Sequence, residues 1–260
     1  MLTKRLMGVI TVKEGWAVQS VGYRLHRPLG RPETLAENLD RWGVDEILVQ
    51  CIDRGERGPD LALLSRLCRQ GLSTPLVYAG GVRSVDDGVR AVQAGAERIA
   101  VDAWLHDSAE TVEALAEPLG AQALIAVLPV SLGADGRVAW LDHRSRQSRP
   151  FSAEVLALLR SGHISEALLV DWQHEGIHGA FDHRLLDAWP VPELPLIGFG
   201  GLDEPEAIRK ALSRDRVVAA AIGNALSHRE HALQRLRAAL TDLPLRPPQY
   251  APLSTIAPWS

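Results

Sequence analysis

The sequence has only two cysteines, Cys51 and Cys68. Two thiols build no disulfide framework and show no metal-ligand spacing; they suit a reducing compartment. Long apolar runs are also missing: none reaches the ~18 residues that a membrane-spanning helix needs. Nor is there surplus positive charge. Lys and Arg number 28 against 32 Asp and Glu, a net charge of −4, so no electrostatic footprint for nucleic acid is present. The opening MLTKRLMGVITV carries basic residues, but its apolar stretch runs straight into Lys13-Glu14-Gly15. That reads as a first strand rather than a signal peptide, and the expected location is the cytoplasm.

What is present is repetition. Residues 77–87 read VYAGGVRSVDD and residues 196–206 read LIGFGGLDEPE. Each is an apolar strand, a Gly-Gly pair and an acidic helix opening, with a helix and another strand after it. The pairs Gly80-Gly81 and Gly200-Gly201 lie 120 residues apart in a chain of 260, as a duplicated half would place them. Short apolar strands alternate with amphipathic helices throughout. The pattern predicts strands near 5–12, 46–52, 74–79, 97–101, 121–130, 165–171, 194–198 and 217–222, and helices near 32–42, 59–70, 84–94, 107–117, 151–161, 182–188, 203–213 and 227–240. Continuous apolar runs fit parallel strands buried on both faces. Eight such units predict an α/β fold of the (β/α)8 TIM-barrel type, one domain over 1–242 with an internal half-barrel duplication. A doubly wound open sheet is the rival, and it predicts no second Gly-Gly at the matching position. Three segments fall outside the repeat: a long basic loop over 19–31, a hairpin around Gly133–Gly136 within 131–150, and a Pro-rich tail over 243–260.

The active face of such a barrel lies where strands run into their helices. Gly80-Gly81 ends the third strand and Val101-Asp102 the fourth; Gly200-Gly201 ends the seventh and Gly223-Asn224 the eighth. Each neighbouring pair can offer backbone N–H groups to one phosphate, with Gly176-Ile177 closing the second site. The reading is a ligand with a phosphate at each end. Tight turns alone would also explain one Gly-Gly pair, though less readily two in register.

The chain resembles the cyclase (synthase) subunit of imidazole glycerol phosphate synthase. The similarity covers about residues 1–240: MLTKR…VKEG, GVDEILVQCID, AGGVRS with AGAERIAV, EALLVDWQHEG…GAFD, and FGG followed by AAAIGNAL. The resemblance implies a glutaminase partner docked on the far face near Glu97, releasing ammonia that travels through the barrel. It also implies an ammonia gate at Arg5, Glu46, Arg98 and Glu166, with Arg98 where the family usually has Lys. The family's two acid/base aspartates fall on Thr11 and on Pro129, or Leu128 if the register slips by one. A third acidic position falls on Cys51, with Asp53 close behind. Thr cannot usefully titrate and Pro has no functional group, so the acid/base chemistry of ring closure lacks its groups here. The resemblance is therefore to a divergent paralogue.

Candidate catalytic residues are then Asp53 and Asp102, with Thr11 at the family position. Asp171, His174, Glu175 and His178 form a D-x2-H-E-x2-H string, but loop groups of this kind are more often solvated or substrate-facing, and no metal and no cofactor is expected. His26, His106, His143, His163, His183, His228 and His231 read as surface residues. Trp16, Trp104, Trp140 and Trp172 read as core or loop packing, with a ligand's apolar part as the sharper option. The function expected is a synthase-type subunit of a glutamine amidotransferase acting on a phosphorylated or nucleotide-linked substrate, in histidine biosynthesis or in a paralogous sugar-amidation pathway. A non-catalytic ammonia conduit and a phosphoribosyl isomerase-like enzyme are the alternatives.

Overall fold

The computed structural model describes residues 3–143, 145–228 and 231–248. The first half runs β1 (Arg5–Lys13), β2 (Trp16–Val21), β3 (Leu25–Gly30), α1 (Pro32–Trp42), β4 (Glu46–Cys51), α2 (Leu61–Cys68), β5 (Leu76–Ala79), α3 (Val85–Gln93), β6 (Arg98–Val101), α4 (Ala103–Asp107) and α5 (Ala109–Leu119). After a 3-10 turn at Ala121–Ala123, the second half repeats that order of types. It runs β7 (Leu124–Leu132), β8 (Val138–Asp142), β9 (Gln147–Arg149), α6 (Ala153–Arg160), β10 (Glu166–Asp171), α7 (Arg184–Asp187), β11 (Leu196–Phe199), α8 (Pro205–Leu212), β12 (Val217–Ile222), α9 (Asn224–His228) and α10 (Ala232–Ala239).

Eight strands pair in parallel and close on themselves in the order β1, β4, β5, β6, β7, β10, β11, β12 and back to β1. This is a single (β/α)8 barrel, not an open sheet. The strands read as unbroken apolar runs because both faces are covered. Met7, Leu48, Ile125, Leu168 and Ile197 fill the inside. Leu6, Ile47, Leu124, Leu169 and Leu196 face the helices. The helices start where the sequence offers caps: Asp60 and Ser84 accept the amides of Leu63 and Asp87 at α2 and α3, while Pro32 and Pro205 open α1 and α8.

The segment 19–31, expected to be a loop, is largely a β-hairpin. β1 continues past the barrel wall into β2, and β2 pairs antiparallel with β3. Gly22 and Tyr23 make the turn at positive φ, and Pro28, which has no N–H, sits beside a register shift where the ladder is already interrupted. The hairpin expected around Gly133–Gly136 is β7–β8, extended by β9, so both halves carry the same device on their first strand. Residues 243–248 run back along the barrel bottom: Leu243 and Leu245 pack on the outer core, and Lys4 exchanges backbone hydrogen bonds with Pro244 and Arg246. The rest of the Pro-rich segment, 249–260, lies outside the described residues. No helix among the described residues is long and apolar enough to cross a membrane.

Candidate active site

Strand parity decides which side chains see the barrel axis. On β1 the inward residues are Arg5, Met7, Val9 and Thr11; on β4 they are Glu46, Leu48 and Gln50. The pairing of Pro129 with inward Val170 and the inward Val127 put Pro129, not Leu128, on the axis; Leu128 faces the helices. The same parity turns Cys51 outward, where burial pushes its thiol up to about 12, and makes Gln50 the inward residue at the end of β4.

At the bottom, four inward residues close a ring of alternating charge. Arg5 binds Glu46 at 2.9 Å and Glu166 at 2.6 Å; Arg98 binds Glu166 at 2.9 Å and Glu46 at 3.5 Å. Each side chain is at most 14% exposed, so the pairing supplies what water would otherwise provide. Burial still pushes the Glu46 carboxyl up, with Arg5 and Arg98 pulling the other way. Its Oε2 is buried with no hydrogen-bond partner among the described residues. Above the ring the interior is lined by small or branched apolar groups, Val77, Ala79, Ala100, Ala219 and Ala221 among them. Glu97 is exposed beside the ring.

At the top, a cavity of about 540 Å³ opens over β4, β5 and β6. Gly80, Gly81 and Arg83 form one wall, and Lys13, Tyr23 and His26 another. Asp102, Trp104 and Pro129 complete it. Val101 lies beneath, in the outer core. Both glycines are obligatory: a Cβ would come within 2.4 Å of the Cys51 carbonyl at Gly80 and of the Gly58 carbonyl at Gly81. The second half repeats this: a Cβ at Gly200 would lie 2.5 Å from the Asp171 carbonyl, and one at Gly201 2.7 Å from that of Ile177. The matching pocket there, lined by Thr11, Gly176, Ile177, Gly200, Gly201, Gly223 and Asn224, has only about 30 Å³.

The β2–β3 hairpin docks beside the second pocket, on Glu175, Gly176 and Asn224, and its Tyr23 and His26 line the large cavity. Glu175, 3% exposed, accepts hydrogen bonds from Ser20 Oγ and the Tyr23 amide, both at 3.1 Å, and its carbonyl accepts the Gly22 amide. Asn224 donates from Nδ2 to the Ser20 carbonyl at 2.6 Å and accepts the Ser20 amide at 3.2 Å. Gly176 is so close that a Cβ would meet the Ser20 carbonyl at 2.3 Å. Tyr23 reaches from the hairpin turn into the barrel mouth, packs on the inner core and donates to Gln50 Oε1 at 3.3 Å. Burial raises the pKa of both Tyr23 and Glu175.

The expected acid/base candidates are not brought together. Asp102 borders the large cavity, whereas Thr11 borders the small pocket. Asp53 is committed elsewhere: its carboxylate accepts the amide of Glu14, which turns at positive φ between β1 and β2. The D-x2-H-E-x2-H string also divides. Asp171 accepts from His174 and the Asp182 amide, Glu175 holds the hairpin, and His178 pairs with Asp203. No cluster of three or more metal-type ligands occurs among the described residues. Three histidines expected on the surface are not there: His183 is half-buried edge-on to Phe181, and burial lowers its pKa. His26 borders the cavity beside Lys13, with Nδ1 3.4 Å from Nζ, and burial lowers its pKa. His106 stacks on Trp140 at 3.4 Å, and burial lowers it to about 4. His228 has no described side chain. Lys13, Tyr23, Gln50 and Arg83 were not singled out by sequence; Lys13 alone had a signal, its inward parity two residues beyond Thr11.

Comparison with known proteins agrees with this geometry. The chain is 29% identical over 231 residues to the imidazole glycerol phosphate synthase subunit HisF of Myxococcus xanthus, covering 87% of this chain and 90% of that protein. It is 25% identical over 244 residues to the subunit of the same name from an Exiguobacterium species, covering 91% and 93%. For that of Natranaerobius thermophilus the figures are 22% over 245 residues, 93% and 97%. Residues 5–232 match the family model described as histidine biosynthesis protein, and the chain belongs to that family.

Proposed function

We propose that this barrel is a cyclase-type (synthase) subunit of a glutamine amidotransferase, similar to the HisF subunits of imidazole glycerol phosphate synthase. A glutaminase docks at the bottom near Glu97, and ammonia passes the charged ring and adds to a phosphorylated acceptor held at the mouth. The observation that carries this reading is the four-residue ring beneath an apolar interior. Unprotonated ammonia can cross such an interior, whereas a bare ammonium ion pays a desolvation cost of several kcal/mol, on the order of that for other small ions. The unpartnered Glu46 Oε2 offers a passing N–H group an acceptor. At the mouth, Gly80-Gly81 and the amino end of α3 suit a phosphate, with Lys13 and Arg83 as cations. Asp102 is the acid/base candidate facing the cavity.

Thr11 and Pro129 argue against imidazole ring closure and for a paralogous acceptor, such as a phosphorylated or nucleotide-linked sugar. Purified protein supplied with ammonium salt and the histidine-pathway ribonucleotide intermediate is expected to give no ring product; turnover at an ordinary enzymatic rate would overturn the paralogue. Loss of both carboxylates also favours a second reading, a conduit that hands ammonia to another protein. A list of acceptors turned over by the purified chain with ammonia separates the two. For the ring, Glu46→Ala is expected to keep or raise ammonia-dependent activity and to weaken glutamine-dependent activity. An equal fall in both would assign the ring to stability alone.

A further inference from the structure

We infer that the large cavity takes a ligand with two unlike anionic groups: a phosphate against Gly80-Gly81 and Arg83, and a carboxylate against Lys13 beside His26. This rests on the phosphate-site reading above and deepens it to a substrate class, phosphorylated sugar acids of hexose length.

The observation behind it is a cation without a counter-ion. Lys13 ends β1, half-buried and with inward parity, and its side chain lines the cavity. No carboxylate lies within ion-pair distance of its ammonium among the described residues. Its side-chain partner there is another base, His26, whose Nδ1 is 3.4 Å from Nζ. Burial and the charge of Lys13 both lower the His26 pKa, so the ring is neutral at pH 7 and accepts one N–H from Nζ. The other two ammonium hydrogens are left for a ligand. A half-buried cation turned toward a cavity is stabilised by an anion placed there.

The two walls differ in what they offer. Gly80-Gly81 and Arg83 combine backbone amides with a guanidinium, which suits a dianion. The facing wall has a single fixed charge, on Lys13, which matches a monoanion such as a carboxylate. β4 lies between β1 and β5, so the walls stand two strand spacings apart, on the order of 10 Å. A sugar-acid chain of hexose length bridges that gap, and a cavity of about 540 Å³ has room for it. The carboxylates that border the cavity, Glu56 and Asp102, are both exposed, so water solvates them.

The test is calorimetric titration of the full chain with 6-phosphogluconate and with glucitol 6-phosphate. The second probe keeps the phosphate and the chain length and has a hydroxymethyl group in place of the carboxylate. Inorganic phosphate, titrated alone, reads the Gly80-Gly81 wall. 6-Phosphogluconate is expected to bind about tenfold or more tighter than glucitol 6-phosphate, the worth of one charge-assisted contact. Lys13→Gln is expected to bring the two within about twofold of each other, and Lys13→Arg to restore most of the preference. Thermal unfolding checks that each variant is folded, and the unaltered chain decides the matter where one is not. Equal affinities for the unaltered chain, or a preference that survives Lys13→Gln, overturn the carboxylate contact and leave the phosphate and amidotransferase readings standing. Failure of inorganic phosphate and of both sugar phosphates to bind overturns the phosphate reading and this inference with it.

Discussion

Glu175 follows β10 in the second half, and 120 residues earlier, after β4, the first half has Gly55. A side chain at Gly55 would meet open space, whereas Glu175 is buried and holds three groups of the β2–β3 hairpin. The Gly-Gly turns on either side are superposable in kind, down to the strand-end carbonyl that each first glycine touches. The two halves therefore share what the backbone requires and differ in what lines the mouth. The ring at the bottom shows the same drift. Glu46 and Glu166 are repeat equivalents 120 residues apart; Met7 pairs with Glu46 as Ile125 pairs with Glu166, so Arg5, two residues before Met7, has Ala123 at the corresponding place.

The strongest test of the shared part is a pair of glycine substitutions. Gly80→Ala and Gly200→Ala each add a Cβ within 2.5 Å of a backbone carbonyl, at positive φ. Each is expected to cost about 3 kcal/mol or more in urea unfolding, and by similar amounts. A large inequality would break the equivalence of the halves.

The divergent part comes next. Glu175→Ala removes the acceptor of Ser20 Oγ and the Tyr23 amide, and is expected to cost about 2 kcal/mol. Gly55→Ala, with no crowding and only its backbone conformation to pay, is expected to cost about 1 kcal/mol. Equal values would show that the hairpin joint is weak.

The third test lies where the halves meet, at His106 of α4 stacked on Trp140 of β8. Burial holds the folded imidazole near pH 4, below its ordinary value of about 6.5. Between those values the unfolded chain binds a proton that the folded chain refuses, so stability falls as pH falls through that window. Allowing for partial exposure, the loss is on the order of 1–2 kcal/mol. Urea midpoints at pH 7 and pH 5 read it, and His106→Phe is expected to flatten the slope while keeping the stack.

The smallest contrast is on matching helices. Arg90 of α3 pairs only loosely with exposed Asp86 at 3.6 Å. Arg209 of α8 has Glu206, Asp242 and the Ala239 carbonyl. Arg90→Ala is expected to change stability by less than about 0.5 kcal/mol, and Arg209→Ala by about 1 kcal/mol.

The barrel was legible because eight apolar runs, two Gly-Gly pairs and their spacing all answer to one architecture. The four ring residues came from the family resemblance rather than from composition or spacing. What the sequence hid was direction. In strands buried on both faces, neighbouring positions are equally apolar, as at Val127 and Leu128, so nothing but shared parity with a residue such as Glu46 marks one as inward until the register is known. The β2–β3 hairpin was hidden by its composition: Gly22, Pro28 and four basic residues read as loop, and its partners Glu175 and Asn224 are more than 150 residues away. His106 looked like a surface group because its burial is created by Trp140 and Phe151, which arrive from another part of the chain.

Lys4 sits where the wall closes. Its ammonium donates to the carbonyls of Arg214, Asp215 and Val217, while its own backbone is stitched to Pro244 and Arg246. One residue thus rivets three strips of chain along the β1–β12 seam, so peeling any strip from the cylinder strains the fastening of the other two.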